Sequence, residues 1–190
     1  MEVTVNTDLS RYVDKILFTE EEIRSRIKQL GQEITEDYKD DPADLLMICI
    51  LKGASVFMAD LMKEVSIPVE IDFMSVSSYG QHTISTGDVR IIKDLDQRIA
   101  GKNILIVEDI IDTGYTLAYL KQNLAHRGAK SVKLVALLNK QARRIADVKG
   151  DYIGFEIPDE FVIGYGLDFN QKLRNLPYVG TLKPMYYEDK

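Results

Sequence analysis

The sequence predicts an α/β fold in which a mainly parallel sheet carries helices on both faces. Three observations predict it. Leu45–Leu51 (LLMICIL), Asn103–Val107 (NILIV) and Val132–Leu138 (VKLVALL) are apolar runs with almost no alternation, the pattern of strands buried on both faces. Stretches with apolar residues at helical spacing lie before and between these runs. Shorter strand-like runs extend the alternation of strand and helix that parallel crossovers require.

The elements follow in order. Thr19 precedes Glu20, Glu21 and Glu22 and forms a capping box with Glu22. Ile23, Ile27, Leu30 and Ile34 then mark an amphipathic helix to roughly Tyr38. The charged stretch Glu36–Asp44, with Pro42, ends it before Leu45–Leu51. Lys52-Gly53-Ala54 breaks that strand, and Val56–Val65 resumes with helical periodicity through Phe57, Met58, Leu61 and Met62. Val69–Ser77 reads as a strand. Ser78–Gly87 (SYGQHTISTG) is polar, small and glycine-bounded, as a mobile loop is, and Asp88–Leu95 reads as a ribbon strand after it. Beyond Asn103–Val107 come Glu108-Asp109 and a turn, then a helix carrying Leu117, Leu120 and Leu124 that ends at Gly128. Val132–Leu138, Tyr152–Ile157 and Val162–Tyr165 supply the remaining strands. Lys121, Lys130 and Lys133 read as a solvated face, and Tyr186 and Tyr187 as packing or partner-facing residues.

Composition limits the functional classes. The 190 residues hold 45% hydrophobic and 28% charged residues, a balance suited to one globular domain over residues 1–190. Thirty acidic against 24 basic residues give a net charge of −6, which disfavours nucleic acid as the main partner. Leu45–Leu51 is too short to span a bilayer, the N-terminus has no apolar signal region, and one cysteine excludes an internal disulfide framework. The expectation is a soluble cytoplasmic protein.

Ile104–Thr116 (ILIVEDIIDTGYT) carries the strongest chemical signal. A buried strand delivers Glu108 and Asp109 together, and a hydroxyl- and glycine-rich turn then opens a helix. Free N–H groups at a helix start, with the Thr113 and Thr116 hydroxyls, make a cradle for a phosphate monoester. Gly114 lets the backbone approach closely. Two carboxylates beside such a cradle repel a phosphate, but they can grip neutral hydroxyls on the same ligand. A sugar phosphate such as ribose 5-phosphate satisfies both demands. Asp112 has two competing roles, a cap of the following helix or a base facing the ligand.

The same stretch resembles the phosphoribosyl-pyrophosphate (PRPP) motif of type I phosphoribosyltransferases: four apolar residues, an acidic pair, three residues, then Thr-Gly and Thr. Leu51-Lys52-Gly53, Ser78-Tyr79, Ser85-Thr86-Gly87-Asp88, and Gly154–Asp168 (GFEIPDEFVIGYGLD) with Arg174 extend the resemblance over nearly the whole chain, toward hypoxanthine-guanine phosphoribosyltransferases of purine salvage. The resemblance implies the type I phosphoribosyltransferase fold, with a small hood built from N- and C-terminal segments. It implies transfer of 5-phosphoribosyl from PRPP to N9 of hypoxanthine or guanine, with Mg²⁺ as cofactor and a homodimer or homotetramer as assembly.

Residue by residue, the resemblance implies that Glu108 and Asp109 hold the ribose hydroxyls, and that Asp112, Thr113, Gly114, Tyr115 and Thr116 wrap the 5-phosphate. Lys52 and Gly53, in a loop with a cis peptide before the glycine, and Arg174 would take pyrophosphate. Lys140, Phe161, Val162 and Asp168 would form the purine site. Glu108, Asp109 and Asp168 would serve the metal, Asp112 would be the catalytic base at purine N7, and Ser78 and Tyr79 would belong to the mobile loop that closes over the site. Tyr115 departs from family members that carry lysine there. Another base, such as xanthine, and a PRPP-sensing regulator that binds RNA or DNA remain the alternatives.

Overall fold

The computed structural model describes residues 9–41, 43–78 and 89–187. Strand β1 (Val13–Phe18) leads into helix α1 (Glu20–Tyr38), then β2 (Leu45–Leu51), α2 (Ser55–Glu64) and β3 (Val69–Ser78). The chain continues through β4 (Val89–Lys93), β5 (Asn103–Ile111), α3 (Tyr115–His126), β6 (Ser131–Asn139) and β7 (Tyr152–Glu156), and finishes with β8 (Val162–Ile163) and β9 (Val179–Leu182). The expected capping box is present. Thr19 Oγ1 accepts from the Glu22 N–H, and Glu22 Oε2 accepts from the Thr19 N–H at 2.8 Å.

Six strands form the main sheet in the order β4–β3–β2–β5–β6–β7, every neighbouring pair parallel except β3 and β4. The chain leaves β2 toward β3 on one side and β5 toward β6 on the other. The space beyond the carboxyl ends of these two strands is the topological switch point, where such sheets hold their ligands. Because side chains alternate along a strand, β2 serves two cores. Leu45, Met47 and Cys49 pack with α1 and α2, while Leu46, Ile48 and Ile50 pack on the α3 side. A smaller antiparallel sheet, β1–β9–β8, forms the hood. A mainly parallel sheet with helices on both faces and a hood is the architecture the resemblance implied.

Three expectations change. First, β5 does not stop at Val107; it continues to Ile111 by pairing with β6, with Glu108 opposite Ala136 and Ile110 opposite Leu138, so the acidic pair lies inside the strand. Second, β1 and β9 had no forecast. Third, the three lysines are not a bare solvated face. Lys121 pairs with Asp151, Lys130 with Asp41, and Lys133 with Asp37 at 2.7 Å while lying over the rings of Tyr38 and Tyr152. On the outermost strand β7, the Arg26 guanidinium from α1 donates to the carbonyls of Ile153 at 2.8 Å and Gly154 at 3.2 Å. The loop expected at Ser78–Gly87 lies outside the described residues apart from the Ser78 backbone that ends β3.

Candidate active site

At the switch point the ends of β2 and β5 touch. A Cβ built on Gly53 would lie 1.5 Å from Asp109 Oδ2, so the Asp109 carboxylate rests against the bare glycine backbone and a side chain there would have to push it aside. The Gly53 carbonyl in turn lies against Gly166, where a Cβ would come within 2.1 Å of it. The loop after β2, the acidic pair and the hood are thereby stacked in one line. The cis peptide joins Leu51 to Lys52, one bond upstream of the bond that enters Gly53.

The acidic pair is held by its own backbone. Glu108 Oε1 accepts from the Asp109 N–H at 3.2 Å, and Asp109 Oδ1 from the Ile110 N–H at 2.7 Å. Neither carboxylate has an ion pair among the described residues. Burial, then the neighbouring Asp109 charge, hold the Glu108 carboxyl well above the usual range, and burial also raises Asp109. Hydroxyl donors or a cation beside the pair would favour the ionised forms. Cys49 beneath them is inert, because burial and then the two acids push its thiol up to about 12.

Thr113 and Gly114 turn the chain from β5 into α3. Gly114 is the helix N-cap with φ +87°, and no side chain caps the helix. Asp112 is therefore not the cap. Its Oδ1 has no hydrogen bond, and its nearest partner is Arg143 Nε at 3.4 Å. Glu108, Ile110, Asp112, Thr113, Gly114, Thr116 and Leu117 line a recess of about 170 Å³ at the helix start. Tyr115 is partly exposed beside it. The segment after β6 grips this turn from behind. Ile145 and Ala146 donate to the Thr113 carbonyl, each at 3.0 Å. Arg144 donates to the carbonyls of Asp112 at 3.0 Å and Ile111 at 3.3 Å and to Asn139 Oδ1 at 2.6 Å.

The third wall lies between β6 and the hood. Lys140 is 6% exposed, and its Nζ donates to the Glu160 carbonyl at 2.9 Å with Asp159 3.5 Å away. Phe161, 39% exposed, stacks on Tyr187 at 5.4 Å and meets the edge of Phe169 at 5.8 Å. Tyr187 is thus a packing residue, as is Tyr186, which lies 4.9 Å from the Tyr12 ring. Val162 opens β8 and is buried. Asp168 is held on both oxygens, by Arg174 Nη2 at 2.7 Å and the Gln171 N–H at 2.7 Å.

The structure thus gathers Lys52, Gly53, Glu108, Asp109, the Asp112–Thr116 turn, Asp168 and Arg174 around one switch point, with Lys140, Phe161 and Val162 on its rim. Glu108, Asp109 and Asp168 do not form one cage, for no cluster of three or more His, Cys, Asp or Glu residues suited to a metal occurs among the described residues. Arg143, Arg144 and Gln171 were not anticipated. The only sequence signal for the first two is the basic pair itself, and for Gln171 the turn-forming Asn170 before it.

A family model described as phosphoribosyl transferase domain matches residues 15–170, and fold and site together define that class. The chain is 54% identical over 176 residues to a hypoxanthine-guanine phosphoribosyltransferase of Bacillus subtilis, covering 93% of this chain and 97% of the relative. It is 49% identical to a hypoxanthine phosphoribosyltransferase of Salmonella typhimurium, over 90% of this chain and 97% of the relative. A crystal structure of a hypoxanthine phosphoribosyltransferase from Staphylococcus aureus superposes with a TM-score of 0.92 at 47% identity, covering 96% of this chain and 98% of that one. The chain belongs to the hypoxanthine-guanine phosphoribosyltransferase family.

Proposed function

We propose that this chain acts as one unit to transfer the 5-phosphoribosyl group of PRPP to N9 of hypoxanthine or guanine, giving IMP or GMP and pyrophosphate. The observation that supports this best is the seating of Asp109 on Gly53, which sets a sugar-gripping acid pair directly beside the loop proposed for pyrophosphate. Glu108 and Asp109 accept from the ribose hydroxyls, and the N–H groups from Thr113 to Thr116 take the 5-phosphate without needing a lysine at Tyr115. Lys52 and Arg174 stabilise the charge that develops on the departing pyrophosphate, the larger electrostatic part of the reaction. Lys140 has an N–H to spare for the 6-oxo group of a purine, which favours a 6-oxopurine over adenine. The Phe161 ring offers the base a stacking surface, and the Val162 backbone meets its edge. Asp112, free of the helix start, accepts the proton from N7.

The donor set fits Mg²⁺. Its oxygens are hard, the acid pair lacks a counter-cation among the described residues, and Mg²⁺ is commonly held by one or two carboxylates while phosphates and waters complete its shell. Glu108 and Asp109 would hold it on β5 and Asp168 would face it from the hood only on leaving Arg174, with phosphates and waters completing the shell; when bound, it would neutralise phosphate charge. We place the protein in the cytoplasm as a homo-oligomer, with small-molecule substrates and neither nucleic acid nor membrane as partner; no described helix is long and apolar enough to cross a bilayer.

The test is a spectrophotometric assay with PRPP and Mg²⁺, offering hypoxanthine, guanine, xanthine, adenine and uracil separately. Turnover is expected with hypoxanthine or guanine and is lost when Mg²⁺ is removed. Asp112→Asn should lower kcat by about 10²–10⁴-fold, the usual scale of general-base help. Turnover with a different base alone overturns the reading of Lys140 and Phe161. Tight PRPP binding with no turnover on any base overturns the enzyme and favours a sensor.

A further inference from the structure

Gln171 sits in a conformation that its residue type does not favour. Phe169 and Lys172 exchange two backbone hydrogen bonds of 3.0 Å. The two residues between them, Asn170 and Gln171, have φ of +50° and +64°. This is a two-residue hairpin turn of the type that favours glycine at its second central position. A glutamine is strained there, and such outliers invite a functional explanation. The Gln171 N–H is tied to Asp168 Oδ2 at 2.7 Å, which aims the side chain.

That side chain points at two cations. Gln171 Oε1 accepts from Lys52 Nζ at 3.1 Å and more weakly from Arg174 Nη2 at 3.4 Å. Lys52 comes from the loop after β2, 119 residues away in sequence, and has no carboxylate partner among the described residues. One neutral oxygen therefore bridges the two positive groups assigned above to pyrophosphate. A carboxamide oxygen is a modest acceptor. An ionised phosphate oxygen makes shorter and stronger charge-assisted bonds to the same donors and can displace it.

We propose that Gln171 is an internal stand-in for a pyrophosphate oxygen, keeping Lys52 and Arg174 gathered in the free protein and yielding them to the diphosphate of PRPP. It thereby sets affinity for the diphosphate half of the substrate independently of the base. The inference rests on the reading of Lys52 and Arg174 as the pyrophosphate site. Its sign is specific. Shortening the side chain releases Lys52 for the incoming anion, Arg174 staying paired with Asp168, whereas a carboxylate at the same place competes with the anion by charge.

The experiment measures Kd for inorganic pyrophosphate in the presence of Mg²⁺ by calorimetry. It also measures KM for PRPP and for hypoxanthine, on the full chain and on Gln171→Asn, Gln171→Glu and Lys52→Ala. Gln171→Asn keeps the amide, and asparagine tolerates positive φ, so folding is retained. The expected results are a Kd for pyrophosphate lowered about threefold in Gln171→Asn and raised about tenfold in Gln171→Glu. KM for PRPP should follow each change, with KM for hypoxanthine held within about twofold. Pyrophosphate binding within about twofold of wild type in both Gln171 variants, with binding lost in Lys52→Ala, overturns the stand-in and leaves the pyrophosphate site standing. Binding unchanged in Lys52→Ala as well overturns both. An equal shift in KM for hypoxanthine and PRPP also overturns it, since Gln171 would then act on the whole site.

Discussion

Asp112 and Glu108 are carboxylates four residues apart in one stretch of chain, and their surroundings give them opposite chemistry. Asp112 lies just past the end of β5, where Gly114 has taken over the start of α3; among the described residues its carboxylate pairs only with Arg143. Glu108 lies within the strand, crowded by burial and by Asp109. A carboxyl whose pKa is raised by folding stabilises the native state below its ordinary titration range, and that contribution is lost as pH rises through the raised value. Ligand-free protein should therefore become less stable as pH climbs above the ordinary carboxylate range. Glu108→Gln should have a higher Tm than wild type at the upper end and nearly the same Tm at the lower, read by calorimetric scans. The same substitution should raise KM for PRPP. The acid pair and its neighbours could be read from the sequence because they are contiguous and chemically varied. Gln171 and Arg144 could not, because their roles arise from a backbone angle and from contacts with distant parts of the chain.

Among the elements, those that carry their own pattern were legible. The capping box started α1 at the expected place, and the unalternating runs became the inner strands β2, β5 and β6. β1 and β9 lacked such a signal. They are short, and what makes them strands is each other, since β1 pairs with β9 with two register irregularities. The end of β5 was hidden for a related reason: acids suggest a strand end locally, but the partner strand β6 continues and draws the backbone with it. The turn from β5 to α3 depends on a glycine in a left-handed conformation. A Cβ at Gly114 would also lie 2.5 Å from Val148 Cγ1. Gly114→Ala should cost roughly 1–3 kcal/mol of stability, measured by denaturant unfolding. Its residual activity should show KM for PRPP raised more than KM for hypoxanthine, because the displaced N–H groups are those proposed to face the 5-phosphate.

Over the whole molecule, the hood and the main sheet meet through bare backbone, Gly53 against Gly166, so the wall proposed for the purine and the acid pair proposed for the sugar share one reference point. The sequence foretold a hood through the family resemblance. It did not show that this junction is made of glycines from two distant segments. At the far side of the sheet, the Arg26 contact with β7 bears on how copies of the chain can meet. An outermost strand with free carbonyls is a template on which another chain can add. Here a guanidinium fastened from the neighbouring helix has claimed two consecutive carbonyls of that strand. Strand addition at that border is thereby obstructed, and Arg26→Ala should raise aggregation on light scattering while leaving turnover of the remaining soluble fraction intact. A single arginine thus works as a hem on the fabric of the sheet, finishing the border so that it does not keep weaving.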